Sequence, residues 1–136
     1  MLDELNARLN SWNAQLNNYT ELKSQVETIK VSLEKAIFDI EDAARNFSSA
    51  YNIEDMSAEK DTILDVEKDL TSKKTEIDSL LMSLDDDINT ATREIASIRD
   101  AIQREIIRQA EEAARQAEEA ARQAAVQISK LQSYRG

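Results

Sequence analysis

Residues 47–61 read FSSAYNIEDMSAEKD, and here the apolar pattern that runs through the rest of the chain fails. Ser48, Ser49, Asn52, Asp55 and Ser57 crowd the stretch. Such side chains bond to nearby backbone and favour turns and caps. Ser57 suits an N-cap, because Glu59 then falls in the first helical turn, where negative charge meets the helix dipole. A single reversal is therefore expected at about 49–57. Tyr51 and Ile53 lie within it, as apolar residues of a buried turn or of an exposed recognition tip.

On either side nothing interrupts a helix. The 136 residues contain no proline, and the one glycine is Gly136. These are the two strongest helix breakers. Before the reversal, apolar residues fall at Leu2, Leu5, Leu9, Trp12, Leu16 and Tyr19, then at Leu22, Val26, Ile29, Leu33, Ala36, Ile40 and Ala43, and end at Phe47. Steps of three and four place them on one helical face. The join from Tyr19 to Leu22 takes two successive threes, a local phase slip in a heptad.

After the reversal the stripe runs Ile63, Val66, Leu70, Ile77, Leu81, Leu84, Ile88, Ala91, Ile95, Ile98 and Ile102, with a weak point at Lys73 and Lys74. The expected fold is all-α: a single domain over 1–136, built as a long antiparallel, coiled-coil-like helical hairpin. Helix one covers about 2–48 and helix two about 58–134; the competing readings are one continuous helix and a fold-back near Arg104–Ile107 that makes three helices, for which no turn residue is present.

Beyond Ile102 the chemistry changes. Residues 108–114 read RQAEEAA, 115–121 repeat it, and Arg122-Gln-Ala opens a third copy. Alanine has the best intrinsic helix propensity, and Glu111 and Glu118 each precede an arginine by four, the favourable order for an ion pair. The second helix is longer than the first. A reversal near residue 53 sets Leu2 against about residue 104, so the alanine-rich extension 105–128 begins where its intramolecular partner ends. Small side chains let another helix approach closely. The candidate partner-binding residues are Trp12, Ile102, Ile106, Ala110, Ala113, Ala117, Ala120 and Ala124. Trp12 also suits packing within the hairpin, and the alanine segment also suits a solvated helix.

The net charge is −10. Residues 1–100 carry 22 acidic and 11 basic side chains, whereas residues 101–136 carry 5 and 6. The acidic body repels nucleic acid and anionic lipid, so neither nucleic-acid binding nor membrane insertion is expected. With no cysteine and no histidine, thiolate nucleophiles, imidazole bases and Cys/His zinc sites are excluded. Asp85, Asp86 and Asp87 are the densest acidic run, but consecutive helical positions point about 100° apart and do not converge on one ion. No catalytic, cofactor or metal residues are assigned, and no enzymatic activity is expected.

A small acidic helical hairpin without cysteine, beginning MLDELNARLNSWNAQLNNYTELKSQVETIKVSLEKAI and closing ISKLQSYRG, resembles the WXG-like proteins of type VII secretion. More narrowly, it resembles the small helical partners of LXG-domain toxins in Gram-positive bacteria. The resemblance implies a non-enzymatic targeting or chaperone-like factor. Such a factor packs against the toxin's N-terminal helices, with room for a second small helical protein. It also implies a cytoplasmic location before export, and export without a cleaved signal peptide. Family members carry an aromatic residue followed four positions later by an acid as part of the secretion signal. Phe38 with Asp42, and Tyr51 with Asp55, match that spacing. Trp12 lies within helix one and no Trp-x-Gly turn is present. The alternative is a structural coiled coil, a cytoplasmic or phage-type spacer, that self-associates through its alanine heptads into a homo-oligomer.

Overall fold

The computed structural model describes the backbone of residues 1–50 and 57–135 and the side chains of 1–47 and 57–134. Residues 51–56, the centre of the expected reversal, lie outside the described residues. Two helices account for the rest: α1, Leu2–Ala50, and α2, Ser57–Arg135. They pack against each other as an all-α hairpin, and no strand occurs among the described residues. α2 is the longer, at 79 residues against 49. It passes through Arg104–Ile107 without a break, so no third helix folds back there.

Local chemistry suits both helices. Asp3 and Glu4 occupy the first turn of α1 and Glu59 that of α2, where carboxylates complement the helix dipole. Thr20, Thr28, Thr62, Thr75 and Thr92 donate their hydroxyls to the carbonyl four residues back, at 2.8–3.2 Å, so these poor helix formers leave no polar atom stranded.

The seam of α1 differs from the expected one. One line of buried or half-buried side chains runs Leu2, Leu5, Leu9, Trp12, Leu16, Tyr19, Lys23, Val26, Lys30, Leu33, Ile37, Ile40, Ala44 and Phe47, with Asn13, Gln15, Ala36 and Glu41 half-buried at its edges. Steps of three and four alternate throughout, so the heptad has no phase slip. Lys23 and Lys30 hold positions where the apolar residues Leu22 and Ile29 were expected, and those two are exposed; Ile37 and Ala44 likewise stand where Ala36 and Ala43 were expected. α2 behaves alike: Ile63, Glu67, Leu70, Lys74, Ile77, Leu81, Leu84, Ile88, Ala91, Ile95, Ile98, Ile102 and Glu105 form an unbroken heptad seam. Glu67 stands where Val66 was expected, and Lys74 fills the weak point.

The chain divides into two compact units, one of Asn13–Thr92 and one of Met1–Trp12 with Arg93–Gly136. Within the first, Val26, Leu84 and Ala91 are buried, and Ala91 is wholly enclosed at 0% exposure. Lys23 Nζ lies 2.7 Å from Asp85 Oδ1, and Lys30 Nζ lies 2.7 Å from Asp78 Oδ1. Seven residues forward on α1 equal seven backward on α2, which fixes the antiparallel register. Within the second unit, Ile95 and Ile98 are buried, and each such isoleucine contributes about 1.5–3 kcal/mol relative to exposure. Met1, Leu5 and Arg8 share a shallow cleft with Ala101, Arg104 and Glu105. In a hairpin each helix has one neighbour, so most seam side chains keep an edge to water, and Trp12 is only half-buried.

Candidate docking surfaces

Label the seam positions of each helix a and d, with Lys23 and Lys30 at a on α1 and Ile98 and Glu105 at d on α2. Glu105 closes the seam. It is buried, at 8% exposure, yet fully partnered. Arg108 donates to it through Nε at 3.0 Å and Nη2 at 2.8 Å, and Gln109 through Nε2 at 3.2 Å. The forked guanidinium holds its carboxyl below the usual carboxylate range, against the opposing effect of burial.

Past Glu105 the same heptad positions are Gln109, Glu112, Gln116, Glu119 and Gln123, all polar and all exposed, with one exposed apolar residue, Val126, only at the next. The apolar residues move to another face. Ile106, Ala110, Ala113, Ala117, Ala120 and Ala124 keep steps of three and four, and Leu131 and Tyr134 fall in the same phase. Ile107 and Ile128 flank them. This stripe is centred roughly a third of a turn from the seam, at 100° per residue. Every residue from Ile106 to Tyr134 is exposed. The stripe itself holds no charge, and Arg108, Glu112 and Arg115 beside it pair along the helix. Arg108 reaches Glu112 at 3.2 Å, and Arg115 reaches the same carboxylate at 3.9 Å.

A different surface flanks the seam in the Asn13–Thr92 unit. The two seam lysines lean to one side, where Asp78 and Asp85 meet them and Glu34 and Glu27 approach at 4.0 and 3.9 Å. Asp85 and Asp78, bonding to the ammonium groups, raise both lysine pKa values. This side, the e positions, is acidic. The other side, the g positions, carries Leu22, Ile29 and Ala36 on α1 and Val66, Lys73, Leu80 and Asp87 on α2. Leu22 is 44% exposed, Ile29 55% and Leu80 45%. Around Lys23 and Lys30 one flank of the hairpin is lined by ion pairs, and its opposite is open and largely apolar.

The sequence-predicted residues divide between seam and surface. Trp12 and Ile102 are half-buried seam residues at d and a. Ile106 and the five named alanines are exposed on the stripe. Phe38 is exposed on the outer face of α1, one turn before Asp42, which pairs with Arg45 at 3.6 Å. Tyr51 and Asp55 lie outside the described residues. The open flank was missed from sequence. Its signal was the seven-residue spacing of Leu22, Ile29, Ala36 and Ala43 beside a seam that needs no phase slip.

Among the described residues no group of three or more His, Cys, Asp or Glu is placed to hold a metal, and no helix is long and apolar enough to cross a membrane. Comparison with protein-family models, curated proteins and solved structures returns no match.

Proposed function

We propose that this chain is a non-enzymatic docking module whose α2 extension receives a helix of another protein. One observation carries the reading: at Glu105 the seam ends on a satisfied buried carboxylate, and at Ile106 a new, uncharged apolar stripe begins on another face. A helix that merely outran its partner would carry its apolar residues on in the old phase, or carry none. Alanine at five successive stripe positions lets a partner helix approach to the short end of the ~8–10 Å range, while Ile106, Leu131 and Tyr134 supply larger anchors. An amphipathic helix laid along such a face is a recurrent recognition mode.

The resemblance to small WXG-like partners names the occupant: an N-terminal helix of an LXG-type toxin, covered until export through the type VII route. On this reading Phe38 with Asp42 remains available on the outer face of α1 as a secretion signal. The test is co-expression with the N-terminal helical domain of an LXG toxin encoded beside this gene. A stable one-to-one complex, lost on Ala113→Glu or Ala117→Glu with helicity unchanged, is expected. No complex with that domain, or a complex indifferent to both substitutions, overturns the proposal.

A further inference from the structure

We propose that the hairpin pairs with a second copy of itself through the open flank beside Ile29 and Leu80, forming an antiparallel four-helix contact with a two-fold axis at those residues. This goes beyond the docking reading and uses none of the α2 extension.

The face is too wide for a two-helix seam. A strict coiled-coil seam uses a and d alone, whereas a helix facing a larger core adds e or g. Here g is apolar at Leu22, Ile29 and Leu80, and all three are exposed. Over the same stretch the e side carries Glu27, Glu34, Asp78 and Asp85 against two lysines, so its net negative charge opposes the same face of a second copy.

Self-complementarity identifies the occupant. A two-fold interface must match itself on reversal. On α1, reversal about Ile29 lays Leu22 against the second copy's Ala36, a large side chain against a small one. On α2, reversal about Leu80 lays Lys73 against the second copy's Asp87, a cation against an anion. The two centres coincide. The register fixed by Lys30–Asp78 and Lys23–Asp85 sets Ile29 opposite Leu80, so one axis serves both helices. The other two-fold, parallel to the helices, lays α1 on the second copy's α2 and sets Leu22 against Asp87 and Ala36 against Lys73, so neither charge meets its opposite. Among the described residues of its own chain Lys73 has only a loose contact with Glu76, at 4.0 Å and with both side chains more than half exposed. The contact spans two heptads, about 21 Å at 1.5 Å per residue, so it sits at the small end of specific interfaces and gives a concentration-dependent dimer.

Sedimentation equilibrium of the full chain across micromolar concentrations tests this, with far-UV circular dichroism to confirm folding. A monomer–dimer equilibrium is expected. Lys73→Asp or Asp87→Lys alone weakens it about tenfold, because two symmetry-related contacts turn from attractive to repulsive. The double swap restores it to within about twofold of the parent, by the same pairing arithmetic. Lys73 and Asp87 are two heptads apart on one helix, so only contact between copies gives that rescue. Ile29→Asn, at an exposed site outside the seam, weakens the dimer without unfolding the hairpin. A monomer throughout the range, single swaps without rescue, or a dimer dissolved by Ala117→Glu instead overturns the proposal.

Discussion

Lys30 reaches across the hairpin to Asp78 at 2.7 Å, one heptad from the identical contact of Lys23 with Asp85. A lysine at a seam position costs stability and specifies alignment. Here the stem lies along the seam while the ammonium emerges among acids. A shift of one heptad keeps one such pair and loses the other, so the two together select one register. Lys30→Asp or Asp78→Lys should each lower the melting temperature, because each sets like charges opposite one another. The double swap should recover most of the loss, measured by thermal denaturation at low salt. If the double variant melts no higher than the lower single, the pair does not set the register.

Stability should fall at both ends of the pH scale, for reasons of opposite sign. Asp85 and Asp78 raise Lys23 and Lys30 above the ordinary lysine value of 10.5. Their contribution is complete below the unfolded-state pKa and is lost as pH rises through the higher folded value. Arg108 lowers Glu105 below the ordinary 4.5. Its contribution is present above the unfolded value and is lost as pH falls through the lower folded one. Urea unfolding across pH should show Lys23→Met/Lys30→Met flattening the alkaline limb and Glu105→Gln flattening the acid limb. Unchanged limbs in these variants contradict the assignments.

The hairpin was legible because three-and-four spacing survives on both sides of residues 47–61 and no proline or internal glycine interrupts it. The seam was misread at five places, Leu22, Ile29, Ala36, Ala43 and Val66, and the phase slip taken at Leu22 carried Ala36 and Ala43 into the stripe in place of Ile37 and Ala44. Ranking apolar residues first put Leu22, Ile29 and Val66 in the stripe and forced a phase slip after Tyr19. A seam between two helices is shallow, so a long charged side chain can sit in it and still reach water. Lys23, Lys30 and Glu67 keep the heptad for that reason. The complementary spacing was visible: lysines seven apart on α1 and aspartates seven apart on α2. The alanines from Ala110 to Ala124 were also legible, since RQAEEAA recurs every seven residues. Their rotation from the seam was not, because it depends on which residues α1 covers.

That rotation has a direct energetic consequence. Ile98 is 2% exposed in the seam, and Ile107, nine residues on, is 50% exposed. Ile98→Ala should destabilise the hairpin by about 2–4 kcal/mol, from lost transfer energy and a residual cavity. Ile107→Ala should stay within about 0.5 kcal/mol. Ala91→Leu, at a wholly enclosed position, should cost about 1–3 kcal/mol by overpacking. Denaturant titration of the three variants gives the comparison. Equal losses at Ile98 and Ile107 contradict a seam that ends at Glu105.

The α2 extension should be separable from the hairpin that carries it. From Ile106 to Tyr134 no side chain is buried, so cooperative unfolding of the hairpin gains little from the extension. Its helicity rests on alanine propensity and on ion pairs such as Arg108–Glu112 and Arg115–Glu112, each worth a few tenths of a kcal/mol. Hydrogen exchange should therefore find protected amides around Leu84–Ile98 and rapid exchange over 112–134 in the isolated chain. Ending the chain after Gln109 should change hairpin stability by no more than about 0.5 kcal/mol and abolish capture of the helical partner. Binding of that partner should slow exchange along the stripe, because a docked helix no longer frays on its own. A truncated chain that unfolds, or that still captures the partner, shows that the extension belongs to the hairpin's core or that the docking face lies elsewhere.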